Sequence, residues 1–208
     1  MALPIRLAVL LSGSGTTLQN LIDRIAAGRL DARIVQVVSS RPDAQGIGRA
    51  QSAGLPTAVV NKRECAGVDD FSDRIFALCR QSGAELVCMA GFLHLIRIPN
   101  DFQFRVLNIH PSLIPAFCGK GLYGHHVHEA VLAYGARISG CTVHFADNEY
   151  DHGPIVLQRP VPVLDDDTPN SLAARVFEQE CAAYPDAIQL FAEKRLLLLE
   201  RKVIVRPK

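Results

Sequence analysis

The sequence lacks an excess of charge of either sign: 22 lysines and arginines stand against 21 aspartates and glutamates, a net charge of +1. So weak a field excludes holding nucleic acid or an anionic membrane by overall electrostatics and leaves only local basic pockets. A long apolar run is missing too, since no stretch approaches the roughly eighteen residues of a spanning helix. The apolar N-terminal segment MALPIRLAVLL runs into a glycine loop, not a small-residue cleavage site, so it reads as a first strand and not a leader. Cysteine pairs at metal or redox spacing are absent. The six cysteines (65, 79, 88, 118, 141 and 181) are scattered and mostly inside apolar runs, the usage expected of buried, reduced thiols in the cytoplasm. No G-x-S-x-G elbow appears, which argues against a serine hydrolase.

What the chain does have is alternation. Its 208 residues, 49% apolar, suffice for one ordinary domain with a sizeable core. IRLAVLLS (5–12) is a continuous aliphatic run of the kind buried on both faces of a parallel sheet. In TTLQNLIDRIAAG, Leu18, Leu21, Ile22 and Ile25 recur at helical spacing before Gly28. Strand-like 32–40, helical 44–54, strand-like 57–60, helical 68–83 and strand-like 84–92 and 105–110 follow. The second half predicts a helix through HEAVLAYG, strands at 138–146 and 153–163, a long helix from 170, and an edge strand in LLLERKVIVRP. Strand–helix alternation with short connections predicts an α/β fold: a doubly wound, mostly parallel twisted sheet with helices on both faces.

Two places carry chemistry. SGSGTTL (12–18) joins the first strand to the first helix, where backbone N–H groups and the helix dipole favour an anion. It lacks the lysine of a Walker loop and the third glycine of a dinucleotide fingerprint, and the second strand ends in SSR where a nicotinamide enzyme needs an acid. A phosphate monoester held with Thr16 and Thr17 is the leading reading, ahead of a tight structural turn and, last, a dinucleotide. In RVLNIHP, strand alternation puts Val106, Asn108 and His110 on one face, at the carboxyl end of a strand where open sheets bind ligands. Asn108 can donate an N–H to an oxyanion and His110 can move a proton. The turn DNEYDHGPI offers Asp147, Glu149 and Asp151 as a carboxylate to raise the histidine pKa, and spacing does not choose among them. His144 alternates with Thr142 and faces either the cleft near His110 or the core. His125, His126 and His128 sit at a helix start without a further metal ligand and read as a solvated or substrate-facing loop. Asp165, Asp166 and Asp167 read as a complement to a helix dipole.

SGSGTTLQNLI, AGF (90–92), NIHPSLIPAF and TVHF…DHGPIVLQ occur in that order at strand ends. Together, over roughly residues 5–185, they resemble the phosphoribosylglycinamide formyltransferase family of folate-dependent formyltransferases. The resemblance implies a Rossmann-like formyltransferase fold in a single domain over 1–208, with a phosphate-binding half to about 104 and a catalytic, folate-binding half from about 105. It implies direct formyl transfer from 10-formyltetrahydrofolate, a co-substrate, to the amine of glycinamide ribonucleotide, with no metal and no nicotinamide. Asn108 would polarise the formyl group, His110 would act as general acid, and Asp151 would raise its pKa. Gly15, Thr16 and Thr17 match the substrate-phosphate segment, and Glu180 matches a glutamate that contacts the glycinamide. Leu93, His94, Leu95 and Ile96, with Asn108, match the folate pocket.

Departures from the family pattern are His94 where arginine is frequent, no arginine aligned before the third helix, and a longer, histidine-rich loop at 117–126. The expected partners are the two small molecules, with no nucleic acid or membrane, for a cytoplasmic monomer or homodimer. A formyltetrahydrofolate deformylase is the nearest alternative, although that family generally carries an N-terminal regulatory domain. A methionyl-tRNA formyltransferase would need an RNA-binding domain. A catalytically silent folate- or phosphate-binding protein is the reading from another class.

Overall fold

The structure, a computed structural model, describes residues 3–208. They fall into two compact units, one up to Leu107 and the other from Asn108. Seven strands form one sheet in the order β3-β2-β1-β4-β5-β6-β7.

The first unit runs β1 (Ile5–Leu11), α1 (Thr16–Ala26), β2 (Ala32–Ser39), α2 (Gln45–Ser52), β3 (Thr57–Val59), α3 (Val68–Gln81) and β4 (Leu86–Met89), then enters β5 (Val106–His110). β1 lies between β2 and β4 and is parallel to both, while β3 extends β2 in parallel. The chain therefore winds outward from β1 to β3 and returns to lay β4 on the other side of β1. Right-handed crossovers in opposite directions put α1 and α2 on one face of the sheet and α3 on the other. Burial on both faces explains the continuous aliphatic run of β1, whose Leu7, Val9, Leu10 and Leu11 are all fully buried. The α3 stripe of Phe71, Ile75, Phe76 and Cys79 is likewise buried, each large side chain contributing roughly 1.5–3 kcal/mol.

The second unit holds the end of β5, α4 (His125–Tyr134), β6 (Ile138–Phe145), β7 (Ile155–Pro162), α5 (Pro169–Ala192), β8 (Leu196–Leu199) and β9 (Lys202–Val205). β6 and β7 are antiparallel, with a register shift at Val143/His144. α5 starts at a capping box in which Thr168 accepts from the Ser171 amide, followed by proline at the first helical position. It packs Leu172, Val176, Ala183, Tyr184, Ala187 and Ile188 inward, and Pro185 lies within it.

Three expectations change. The C-terminal segment does not add an edge strand to the main sheet but folds back on itself as a separate two-stranded hairpin, β8–β9. α4 begins at His125, so the histidine cluster occupies its first turn. Within the acidic run, Asp167 binds both terminal nitrogens of Arg175 at 2.7 and 2.9 Å. That guanidinium holds its carboxyl well below the usual range. Asp165 pairs with Arg137. These two carboxylates serve side-chain partners before any dipole.

Candidate active site

In the first unit, the winding reverses between β1 and β4, the position at which open α/β sheets bind ligands. The Ser12 amide donates to the Gly91 carbonyl at 3.0 Å, and the Leu93 amide donates to Ser12 Oγ at 3.1 Å. The glycine loop and the 91–96 segment are thereby fastened to each other. Gly15 takes φ +72° and precedes α1, whose first turn has no side-chain cap and no acidic residue. Its N–H groups are thus left without a side-chain acceptor, the condition for an anion site. A Cβ on Gly15 would stand 2.5 Å from the Gly46 Cα, so only glycine lets α2 approach the loop this closely. Arg49 of α2 donates from Nε to the Ser14 carbonyl at 2.9 Å and steadies the loop. Thr16 is exposed and Thr17 half-buried at the start of the helix.

Of the candidate folate residues in the 93–96 segment, Leu93 is exposed, His94 and Leu95 are half-buried and Ile96 belongs to the core. The His94 ring stands edge-on to Phe71 and Phe92. Burial, with Lys62 and Arg41 adding repulsion, lowers its pKa. The ring is therefore biased against the charge that an arginine would bring to this position.

In the second unit, Asp151 is the carboxylate of the three that reaches the strand-end pair. Its Oδ1 accepts from Asn108 Nδ2 at 3.3 Å, and its Oδ2 lies 3.5 Å from His110 Nδ1. Oδ2 also accepts from the Gly119 amide at 2.9 Å. Burial pushes the Asp151 pKa up, but His144, the His110 charge and the Gly119 N–H outweigh it, so the group stays below the usual carboxylate range. Asp147 instead accepts from His152, and Glu149 is exposed. Of the three, Asp151 alone is at positive φ, +51°, a left-handed conformation uncommon outside glycine.

His144 is buried behind Asn108. Its Nδ1 donates to the Phe145 carbonyl at 2.9 Å, which leaves Nε2 to accept from Asn108 Nδ2 at 3.0 Å. This network fixes the orientation of the Asn108 amide, since its nitrogen faces two acceptors. His110 is buried as well, and its Nε2 donates to the Phe117 carbonyl at 2.9 Å. The expectation that Asp151 raises the histidine pKa is corrected in its net sign. Burial is the largest influence and lowers it, Asp151 and the Phe117 carbonyl raise it by less, and His144 lowers it further.

Glu180 lies half-buried on α5. Burial pushes its pKa up to about 7. A carboxyl that is easier to protonate folded than unfolded stabilises the protein fully below its unfolded pKa near 4.5, and that contribution is lost as pH rises through about 7. Glu180→Gln therefore stabilises the protein relative to the parent at pH 8, by up to about 3 kcal/mol less what solvent contact screens, and raises its Tm. The gap closes at pH 4, as thermal melts at the two pH values would show; an equal gap at both would rule the titration out.

Sequence reasoning missed three groups. The Phe117 carbonyl and the Gly119 amide are backbone atoms in the 117–126 loop, held at φ +51° and +98°, and no side-chain pattern announces them. His128 is buried, in contrast to the solvated reading, and its Nδ1 has no hydrogen-bond partner. Burial first, then His125 and His110, push its pKa down to about 4. Among the described residues no three His, Cys, Asp or Glu side chains converge as a metal site.

A formyl transferase family profile matches residues 5–188. The phosphoribosylglycinamide formyltransferase of Haemophilus influenzae is 36% identical over 93% of this chain and 90% of its own length. The chain belongs to the phosphoribosylglycinamide formyltransferase family. Among solved structures, glycinamide ribonucleotide transformylase 1 from Symbiobacterium toebii superposes with a TM-score of 0.93 at 40% identity, covering all of this chain and 96% of that one. The "Trifunctional purine biosynthetic protein adenosine-3" of Gallus gallus is 38% identical over 90% of this chain, which spans only 18% of that protein's length. The Arabidopsis thaliana chloroplastic phosphoribosylglycinamide formyltransferase is 39% identical, with 66% of its length covered. In the family frame, Asn108, His110, Asp151 and His144 form one connected cluster in the second unit. Gly15–Thr17 and Leu93–Ile96 gather at the winding reversal of the first.

Proposed function

We propose that this protein transfers the formyl group of 10-formyltetrahydrofolate to the amine of glycinamide ribonucleotide, in purine synthesis. The observation that carries the reading is the Asp151 carboxylate shared by Asn108 and His110, an amide donor and a proton carrier held by one anion. The ribonucleotide phosphate would bind the uncapped amides of α1 with Thr16 and Thr17, and the glycinamide would meet Glu180. The 93–96 segment would bind the folate through backbone groups, Ile96 being enclosed in the core.

The amine attacks the formyl carbon and the carbonyl oxygen gains the electron pair. Asn108 has two N–H bonds, and the longer, to Asp151 at 3.3 Å, is the one a formyl oxygen would replace; the 3.0 Å bond to His144 keeps the amide oriented. The tetrahedral intermediate collapses when the folate nitrogen takes a proton and leaves with its bonding pair, while the amine gives up one proton. His110 can carry that proton. A ring whose pKa burial has lowered surrenders it readily to the leaving nitrogen, and Asp151 stabilises the imidazolium when it forms. His110 Nε2 is covered by the Phe117 carbonyl, so the 117–126 loop sets access to that nitrogen.

Release of tetrahydrofolate from 10-formyltetrahydrofolate, followed by absorbance with and without glycinamide ribonucleotide, tests the reading. The expected result is release that requires the ribonucleotide. Equal release without it would establish a deformylase, and no release in either case would remove the catalytic reading. No helix among the described residues is long and apolar enough to cross a membrane. The near-neutral charge and six cysteines outside any disulfide support a cytoplasmic enzyme working on small molecules, and we take it to be a monomer or homodimer.

A further inference from the structure

We propose that Arg201, in the turn of the C-terminal hairpin, is a positioning residue for Asp151 and acts through His152. His152 follows Asp151 directly. Arg201 Nη1 donates to His152 Nε2 at 2.9 Å and Nη2 donates to the His152 carbonyl at 2.6 Å. The guanidinium thus holds the residue by side chain and main chain together. An arginine can only donate, so His152 Nε2 is the acceptor and Nδ1 carries the proton that it gives to Asp147 Oδ2 at 2.7 Å. Asp147 Oδ1 in turn accepts from the Glu149 amide at 2.9 Å. Arg201, His152 and Asp147 form a relay that closes the 147–152 turn across its base.

The turn needs such a closure. Asp151 is a non-glycine residue at φ +51°, a conformation that persists only where the surroundings over-determine it. Asp151 also holds Oδ2 near His110 and, before substrate arrives, Oδ1 near Asn108. The hairpin that carries Arg201 is itself rigidly rooted. The Arg206 amide donates to the Arg195 carbonyl at 2.8 Å, Arg195 Nε donates to the Arg206 carbonyl at 2.7 Å, and Arg195 Nη1 binds Glu193 at the end of α5. A fixed arm therefore runs from the last turn of α5 to the residue beside the candidate catalytic aspartate. In this role the hairpin is part of the catalytic apparatus without touching substrate.

The proposal rests on the formyl-transfer reading, and its test separates the two. Arg201→Ala, Arg201→Lys, His152→Ala and the double alanine variant are compared with the full-length parent. Arg201→Ala lowers kcat by roughly fivefold, the scale of one exposed charged contact made through two bonds. KM for the ribonucleotide and Tm stay near parental values, and Arg201→Lys recovers part of kcat because an ammonium reaches one of the two acceptors. In a His152→Ala background, Arg201→Ala costs less than in the parent. Hydrogen–deuterium exchange without substrates shows faster exchange of the 147–152 amides in Arg201→Ala. Unchanged exchange over that turn overturns the proposal whether or not the parent turns over. So does an unchanged kcat, or a full multiplicative loss in the double variant. A parent that shows the exchange difference but no formyl transfer keeps the brace and removes the activity reading.

Discussion

Asn108→Ala lowers kcat for formyl transfer by about 10²–10³-fold, the usual cost of deleting one preorganised oxyanion donor. The amide is oriented before substrate arrives. His144 Nε2 takes one N–H at 3.0 Å, and the other rests on Asp151 at 3.3 Å, longer than an optimal bond. A formyl oxygen that gains negative charge in the transition state is a better acceptor than the geometry now offers, so the bond strengthens as the reaction proceeds. The loss therefore falls on kcat, and KM for the ribonucleotide changes little if, as proposed, its phosphate binds at the start of α1. Alanine also leaves His144 Nε2 without its donor, which adds to the cost. Steady-state kinetics with both substrates varied checks the split. Near-parental turnover would remove Asn108 from the mechanism, and a loss confined to KM would make it a binding residue.

Gly153→Ala destabilises the protein by on the order of 3 kcal/mol, toward the upper end of what overpacking costs. A Cβ at this position would lie 1.8 Å from the Phe145 carbonyl oxygen and 2.9 Å from its carbon. Both are backbone atoms, so no rotamer change relieves the clash. The strands have to part where the Phe145 amide donates to the Pro154 carbonyl at 2.9 Å, next to the register shift at Val143/His144. A chain of this length loses about 2–4 °C of Tm per kcal/mol, so the expected fall is roughly 6–12 °C. Gly48→Ala is the control. A Cβ there meets nothing within 4 Å, and within α2 alanine is favoured by about 0.5–1 kcal/mol. Thermal melts of the two variants should move in opposite directions; equal shifts would mean that the close approach at Gly153 is unimportant. Because Gly153 ends the turn that carries Asp151, the variant also loses turnover at temperatures where it remains folded.

The first unit was legible because burial on both faces leaves an unmixed aliphatic run, as in β1, and burial on one face leaves a helical stripe, as in α3. Asn108 and His110 were legible from strand period alone. Asp151 was not legible from spacing, which left it level with Asp147 and Glu149, and was singled out only by the family resemblance. The contacts that set it apart, to Asn108, His110 and the Gly119 amide, depend on a fold of the turn that no spacing encodes. The sign of the His110 shift was missed because a nearby carboxylate is visible in the sequence while the depth of burial is not. His128 misled for the same reason: a histidine-rich loop looks solvated, yet the start of α4 turns this one inward. The hairpin was within reach. LLLL and KVIV are two apolar runs around a polar turn, the pattern of a β-hairpin. What sequence does not carry is that Arg201, at that turn, ends on His152, the residue after the aspartate.

The edges of the main sheet bear on how the protein behaves when concentrated. β3, at one edge, is only three residues long. β7, at the other, exposes Pro160 and Pro162, two residues with no N–H to offer an incoming strand, on the side that faces away from β6. A sheet ended in this way gives a neighbouring molecule no ladder to continue. Contact between copies along these two edges would therefore have to run through side chains instead of shared strands.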